Sequence, residues 1–256
     1  MSNMNKEEKM KPEEKSTKRG YNILASKYHE MRMEGIGKFF NEYLEMPGTL
    51  ELLGKVKGKK ILDWGCGSGI YAKILSKRGA VVKGFDISEE LIKIAKINNP
   101  DLDLRQGSGY KIPFNEKFDI VFASLAINYT KDWDKVFSEV KRVLNDKGIF
   151  IFSFGNPVTE ISKKMDFDGK RIRVIGDYFT QRKIEGLYEN IKGKEIQLWN
   201  YHRTYETIIK TILKNRFEII DYKDCYPLKK SKKLFPNYYE QYTKIPNFCV
   251  WKLRKK

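Results

Sequence analysis

Between Lys59 and Phe154, short apolar runs of strand length alternate with amphipathic segments of helix length, and this alternation limits the possible folds more than any other feature of the chain. KKILDW, AVVKGFD, LDLRQG, FDIVFAS and GIFIFSF have the apolar density of buried strands; IYAKILSKRG, SEELIKIAKINN and WDKVFSEVKRVLNDKG space their apolar side chains at three and four residues. Gly79 is placed to end the first of these helices and Ser88 to cap the second. Strands joined through helices lie parallel, by right-handed crossovers that leave helices on both faces. After Pro157 the rhythm breaks, and residues 158–203 read as an inserted cap on the substrate side. Residues 204–256 complete the sheet with a helix, TYETIIKTILKN, and the strands FEIIDY and NFCVWKLR. A tight loop between those two strands makes an antiparallel edge. The expected fold is α/β: a doubly wound, mainly parallel seven-stranded sheet with an antiparallel edge strand, N-terminal helices and the cap.

Residues 1–19 are polar and charged and read as a flexible tail, with order expected from about Tyr21. Residues 20–58 read as an N-terminal helical lid and residues 59–157 as the ligand-binding core. No apolar run approaches the roughly 18 residues of a membrane span. No apolar segment follows the charged N-terminus as a secretory signal requires, so the expected location is cytoplasmic. Cys66, Cys225 and Cys249 have neither disulfide nor metal spacing, and no metal is expected. The formal charge of +17 admits an anionic partner such as RNA, an acidic metabolite or a membrane surface. Lysine is nonetheless spread from Lys6 to Lys256, as on solvated faces, and only Lys229-Lys230-Ser231-Lys232-Lys233 forms a dense patch.

The chemistry concentrates in DWGCGSG, residues 63–69, at the first strand-to-helix turn. In open α/β sheets that turn cradles ligands beyond the carboxyl ends of the strands. A nucleoside-triphosphate loop needs GxxxxGK[ST], and no lysine follows Gly65 at that spacing. A dinucleotide turn reads GxGxxG, and here Ile70 occupies the third glycine position. Asp63, directly before the loop, repels a pyrophosphate and suits a cationic ligand. Asp86, at the end of the next strand, suits a ribose diol in either class of cofactor.

ILDWGCGSG, GFDIS, FDIVFASLAINY and VFSEVKRVLNDKGIFIFS together resemble the class I S-adenosylmethionine-dependent methyltransferases over about residues 59–154. YHRTYETIIKTILKNRFEIIDYKD is similar to the small-molecule, quinone-biosynthesis-like branch, with departures: Asn128 and Asn156 stand where histidines often occur, and Lys214-Asn215-Arg216-Phe217 replaces a glycine-phenylalanine turn. The resemblance implies a Rossmann-like fold, S-adenosyl-L-methionine as cofactor and S-adenosyl-L-homocysteine as product. It implies that Asp63 organises the methionine end, that Gly65, Gly67 and Gly69 admit it, and that Asp86 takes the ribose. Ser108 would meet adenine, Tyr28 would fold over the cofactor, and Ile87, Gly107 and Ser124 would complete the cradle.

Methyl transfer is an in-line displacement in which positioning and desolvation supply much of the rate, so a dedicated base is optional. His202, one of two histidines, is the expected base, lying in the cap beside Tyr201 and Arg203. Tyr178, Trp199 and Tyr201 would shape the acceptor pocket with Asn128, and Arg203 suits an acidic group on a small-molecule acceptor. RNA is the alternative acceptor, and a non-catalytic cofactor-binding module the alternative role. The acceptor atom and the oligomeric state have no signature in the sequence.

Overall fold

The computed structural model describes residues 10–167, 170–191 and 193–256. Helix α1 (Pro12–Met33) opens the chain and runs into α2 (Gly35–Lys38), a π-helical segment (Phe39–Glu45) and α3 (Met46–Leu53). The α/β core follows as β1 (Lys60–Trp64), α4 (Ile70–Lys77), β2 (Val81–Asp86), α5 (Glu89–Asn98), β3 (Asp103–Gln106), β4 (Phe118–Ser124), α6 (Trp133–Val143) and β5 (Leu144–Gly155). Two hairpins come next: β6 (Ser162–Phe167) with β7 (Lys170–Ile175), and β8 (Lys183–Ile191) with β9 (Lys194–Tyr201). The chain closes with α7 (Tyr205–Lys214), β10 (Phe217–Asp224), α8 (Ser231–Leu234), α9 (Pro236–Tyr242) and β11 (Phe248–Lys255).

Seven strands form one sheet in the order β10-β11-β5-β4-β1-β2-β3. The pairs β1–β2, β1–β4, β2–β3 and β4–β5 are parallel, while β11 runs antiparallel to both β5 and β10. The edge strand β10 therefore pairs antiparallel, as the sequence led us to expect. The connection into β11 is not tight: residues 225–247 contain two short helices, with the basic run on the turn before α8 and in α8 itself.

Burial explains why these strands lie inside. Phe118, Val121, Phe150 and Phe152 pack with Trp133, Phe137 and Val140 of α6 on one face. Ile61, Phe122 and Ile151 pack with Tyr71, Leu75 and the 39–53 helical segment on the other. Ser88 Oγ accepts Leu91 N at 3.1 Å and starts α5 as predicted. Among the described residues no helix is long and apolar enough to cross a membrane.

The N-terminal boundary needs correction. Residues 1–9 lie outside the described residues, but among the described residues α1 already starts at Pro12, well before Tyr21. Pro12 occupies the first helical turn, where its missing N–H is harmless, and Glu14 Oε2 accepts Lys11 N at 3.0 Å. Tertiary contacts add to these local signals. Lys11 Nζ meets Asp132 at 2.9 Å, and Tyr110 OH donates to Glu13 at 2.9 Å. Farther along, Gly20 lets α1 lie against β9, since a Cβ there would stand 2.5 Å from Leu198 Cδ2.

Candidate functional site

The loop after β1 turns through three left-handed glycines, Gly65 (φ 72°), Gly67 (φ 53°) and Gly69 (φ 82°). At Gly65 the requirement is also steric, because a Cβ would lie 2.5 Å from Ala126 Cβ. Asp86 fastens this loop from the end of β2: its Oδ2 accepts Gly67 N at 2.9 Å and its Oδ1 accepts Ser88 N at 2.8 Å. Burial raises the Asp86 carboxyl to about 6, although the Ser88 and Gly67 amides favour its charged form.

Two adjoining cavities meet over this loop. One runs past Gly65, Gly67 and Asp86 to Ile87, Gly107 and Gly109. The other, deeper, is bounded by Arg32, Asp63, Gly67 and Tyr71. Tyr28 and Ser124 border both. Together they make an elongated site whose far ends differ in charge chemistry.

At the deep end, Asp63 is 1% exposed, and its Oδ2 has no hydrogen-bond partner; Arg32 Nε, in the same cavity, is likewise buried and unpartnered. Leaving such groups unsatisfied costs about 1–3 kcal/mol each, so the cavity favours a ligand that satisfies both. Burial and then the charge of Asp86 push the Asp63 carboxyl well above the usual range, with Arg32 opposing. A ligand ammonium would offset both effects, and a ligand carboxylate would pair with Arg32. Behind this end, Glu45 is fully buried and accepts Thr49 Oγ1 at 2.7 Å, Tyr71 OH at 2.8 Å and Ser124 Oγ at 3.0 Å. These residues fit the methionine end, the ribose diol and the glycine cradle expected for S-adenosylmethionine.

Ser108 is placed differently from the expectation. Its hydroxyl donates to Glu14 of α1 and accepts Tyr110 N at 3.0 Å, and it is Glu14, with Gly107 and Gly109, that borders the cavity. Arg32, Glu14 and Glu45 were not singled out in the sequence, because their helices carry no motif and only tertiary packing brings them to the loop.

A larger chamber of about 530 Å³ adjoins the first cavity and shares Tyr21, Tyr28, Leu125 and Tyr129 with it. Of Asn128, Tyr178, Trp199, Tyr201 and Arg203, only Asn128 lines this chamber. Its Nδ2 donates to Asn200 Oδ1 at 2.6 Å, while its Oδ1 is buried with no partner. Arg203 is turned inward: its guanidinium donates to the carbonyls of Tyr201, Thr130 and Lys131 and lies 4.4 Å over the Trp133 ring. Those bonds make it a clamp between β9 and the loop before α6, outside the chamber lining. Trp199 sits beneath Lys183, 4.1 Å from the ring centroid, and the Tyr178 OH accepts Tyr205 N at 2.8 Å. Tyr201 lies at the end of β9 beside Arg203 and likewise does not line the chamber.

The expectation for His202 also changes. The residue is 1% exposed, its Nε2 donates to the Tyr178 carbonyl at 2.8 Å, and its Nδ1 meets Glu160 Oε1 at 2.7 Å. Both nitrogens are engaged by internal partners, so neither lone pair is open to a substrate. Glu160, not His202, borders the chamber. Burial raises the Glu160 carboxyl above its ordinary range, and His202 opposes that shift.

A sequence family described as a methyltransferase domain matches residues 62–152. An uncharacterized protein of Haemophilus influenzae is 29% identical over 244 residues, covering 89% of this chain and 92% of that one. A ubiquinone biosynthesis O-methyltransferase of Thiobacillus denitrificans is 31% identical over 102 residues, 38% of this chain and 44% of that relative, so the match spans less than half of its length. An S-adenosylmethionine-dependent methyltransferase from Mesorhizobium loti superposes with a TM-score of 0.68 at 26% identity, over 82% of this chain and 97% of that structure.

Proposed function

We propose that the chain is a class I S-adenosylmethionine-dependent methyltransferase, the reading that its methyltransferase-domain match and its likeness to the Mesorhizobium loti enzyme support, and that it methylates a small, uncharged or basic acceptor seated in the chamber beside the cofactor. One observation carries the reading: the cofactor cavity and the chamber share the wall formed by Tyr21, Tyr28, Leu125 and Tyr129. An acceptor in the chamber would face the cofactor across that wall, and positioning of this kind supplies much of the rate in a displacement. When bound, the cofactor supplies an electrophilic methyl on a sulfonium. The chain's own residues would place it: Asp63 and Arg32 would hold the amino and carboxylate ends, Gly65 and Gly67 would admit the backbone approach, and Asp86 would accept the ribose hydroxyls.

The chamber's chemistry argues against an acidic acceptor. Among its described lining residues Arg32 is the one cation, and it faces the methionine end, while Glu160 and Glu185 are acids. The unpartnered Asn128 Oδ1 asks for an N–H or O–H donor. Glu160 is the group set to hold the acceptor's proton, with His202 behind it as a positioning residue. The relative from Thiobacillus denitrificans carries a small-molecule name, which supports an acceptor of that size.

The test is methyl transfer from S-adenosylmethionine labelled in the methyl group, run against panels of phenols, amines and RNA. Label moving to a phenol or amine is the expected result. Label moving only to RNA would replace the acceptor class, and cofactor binding without transfer to any acceptor would reduce the chain to a binding module.

A further inference from the structure

The long cofactor cavity has a deep end at Asp63 and Arg32, a middle at Asp86, and an outer end where Ile87, Leu91 and Trp64 form an apolar slot beside Gly107 and Gly109. A nucleoside whose ribose lies on Asp86 and whose amino-acid end lies on Asp63 must place its base in that slot. The slot's polar edge comes from the N-terminal helix. Glu14 is 8% exposed, borders the cavity, and is held by the Ser108 hydroxyl on one oxygen and the Lys11 amide on the other. A carboxylate fixed in this way is an acceptor only, with lone pairs to spare after each of those bonds.

Given the methyltransferase reading above, we infer that Glu14 is the residue that recognises the base, accepting a hydrogen bond from the exocyclic amine of adenine. Ser108 then acts through Glu14, as a positioning residue that orients the carboxylate. Specificity for adenine would reside on α1, outside the α/β core that binds the ribose and methionine portions. Helix α1 is thereby both the cover of the cavity and the reader of the base, so it completes the site only when docked. Docking has contacts besides Glu14–Ser108 in the same turn, Glu13 with Tyr110 and Lys11 with Asp132.

The experiment is calorimetric titration of the full chain with S-adenosylhomocysteine and with S-inosylhomocysteine, whose base carries an oxygen acceptor where adenine carries the amine. The wild-type chain should prefer the adenosyl ligand by at least about tenfold, the size of one charge-assisted hydrogen bond. Glu14→Gln, which can present an amide N–H to the inosine oxygen, should erase or reverse that preference. Glu13→Gln, one residue away, loosens a docking contact and should weaken both ligands alike with the preference kept. An unchanged preference in Glu14→Gln, or the same parallel weakening of both ligands as in Glu13→Gln, would overturn the inference. Failure of the wild-type chain to bind either ligand would instead overturn the cofactor reading on which it rests.

Discussion

The cofactor cavity and the acceptor chamber share a wall, yet they are built by different means. The first is held mainly by backbone: left-handed glycines, amides bound to Asp86, and the ends of β1 and β2. The second is held by side chains from α1, the π-helical segment, the loop after β4, the β8–β9 hairpin and the start of β11. Backbone geometry constrains residue type at each position, whereas a side-chain wall can be rebuilt from many sequences. The cofactor half should therefore tolerate very little change and the acceptor half much more.

Glycine substitutions test that contrast most severely. Gly65→Ala combines left-handed strain of about 1–3 kcal/mol with an overpacking cost of about 1–3 kcal/mol against Ala126. Cofactor affinity is expected to fall more than about a hundredfold, with a lower melting temperature. Gly193→Ala in the β8–β9 hairpin has φ 79° but nothing within 4 Å of the added Cβ. It should carry the strain alone and leave cofactor affinity intact; equal losses in the two variants would break the comparison.

Next in size is Asp63→Ala, which removes a charge-assisted contact worth about 1.5–3 kcal/mol, about ten- to a hundredfold in Kd. Asn128→Ala should leave that Kd unchanged while raising the acceptor KM about fivefold, as expected for one neutral hydrogen bond of about 1 kcal/mol. A shift in cofactor Kd for Asn128→Ala would show that the two halves are not separable.

The pH dependence sharpens the same point. With the folded-state carboxyl of Asp86 raised to about 6, the ribose meets a charged acceptor only above that value. Affinity for S-adenosylhomocysteine should rise about tenfold from pH 5 to pH 7, with Asp63 contributing in the same direction. Stability of the ligand-free chain moves oppositely. The folded state holds the Asp86 proton that the unfolded chain releases near pH 4, so stability is greatest below that and falls as pH rises through about 6. Asp86→Asn should flatten its share of both trends, by titration calorimetry and by melting.

His202→Ala should likewise leave cofactor binding almost untouched. Loss of the imidazole strips Glu160 and the Tyr178 carbonyl of a buried partner, at about 1–3 kcal/mol of stability. Cofactor Kd should stay within about twofold, as measured on the folded fraction. A Kd shift of tenfold would give the pair a role in the cofactor half.

The glycine loop, the strand alternation and the two acids Asp63 and Asp86 were legible because spacing along the chain is also spacing in the βα unit. The acceptor side was not. Choosing aromatics in EIQLWNYHR selected Trp199 and Tyr201, yet β9 alternates, and Ile196 and Leu198 pack against α1 while Asn200 reaches the chamber. His202 and Arg203 looked reactive because they are charged and sparse; folding turned both inward against carbonyls and Glu160. The early start of α1 was hidden for a related reason, since its first turn is polar on its own and is secured by Asp132, Tyr110 and Ser108, all about a hundred residues away.

The sequence alone determined the doubly wound sheet, the turn that receives the ligand and the sign of charge that the ligand carries there, because periodicity, left-handed glycines and an acid at a strand end act locally. The tertiary structure decided which side chains from remote helices and hairpins face the two cavities. That choice depends on register, on helix docking and on whether a buried donor has already found its acceptor, and none of these is a property of a residue's neighbours in the chain.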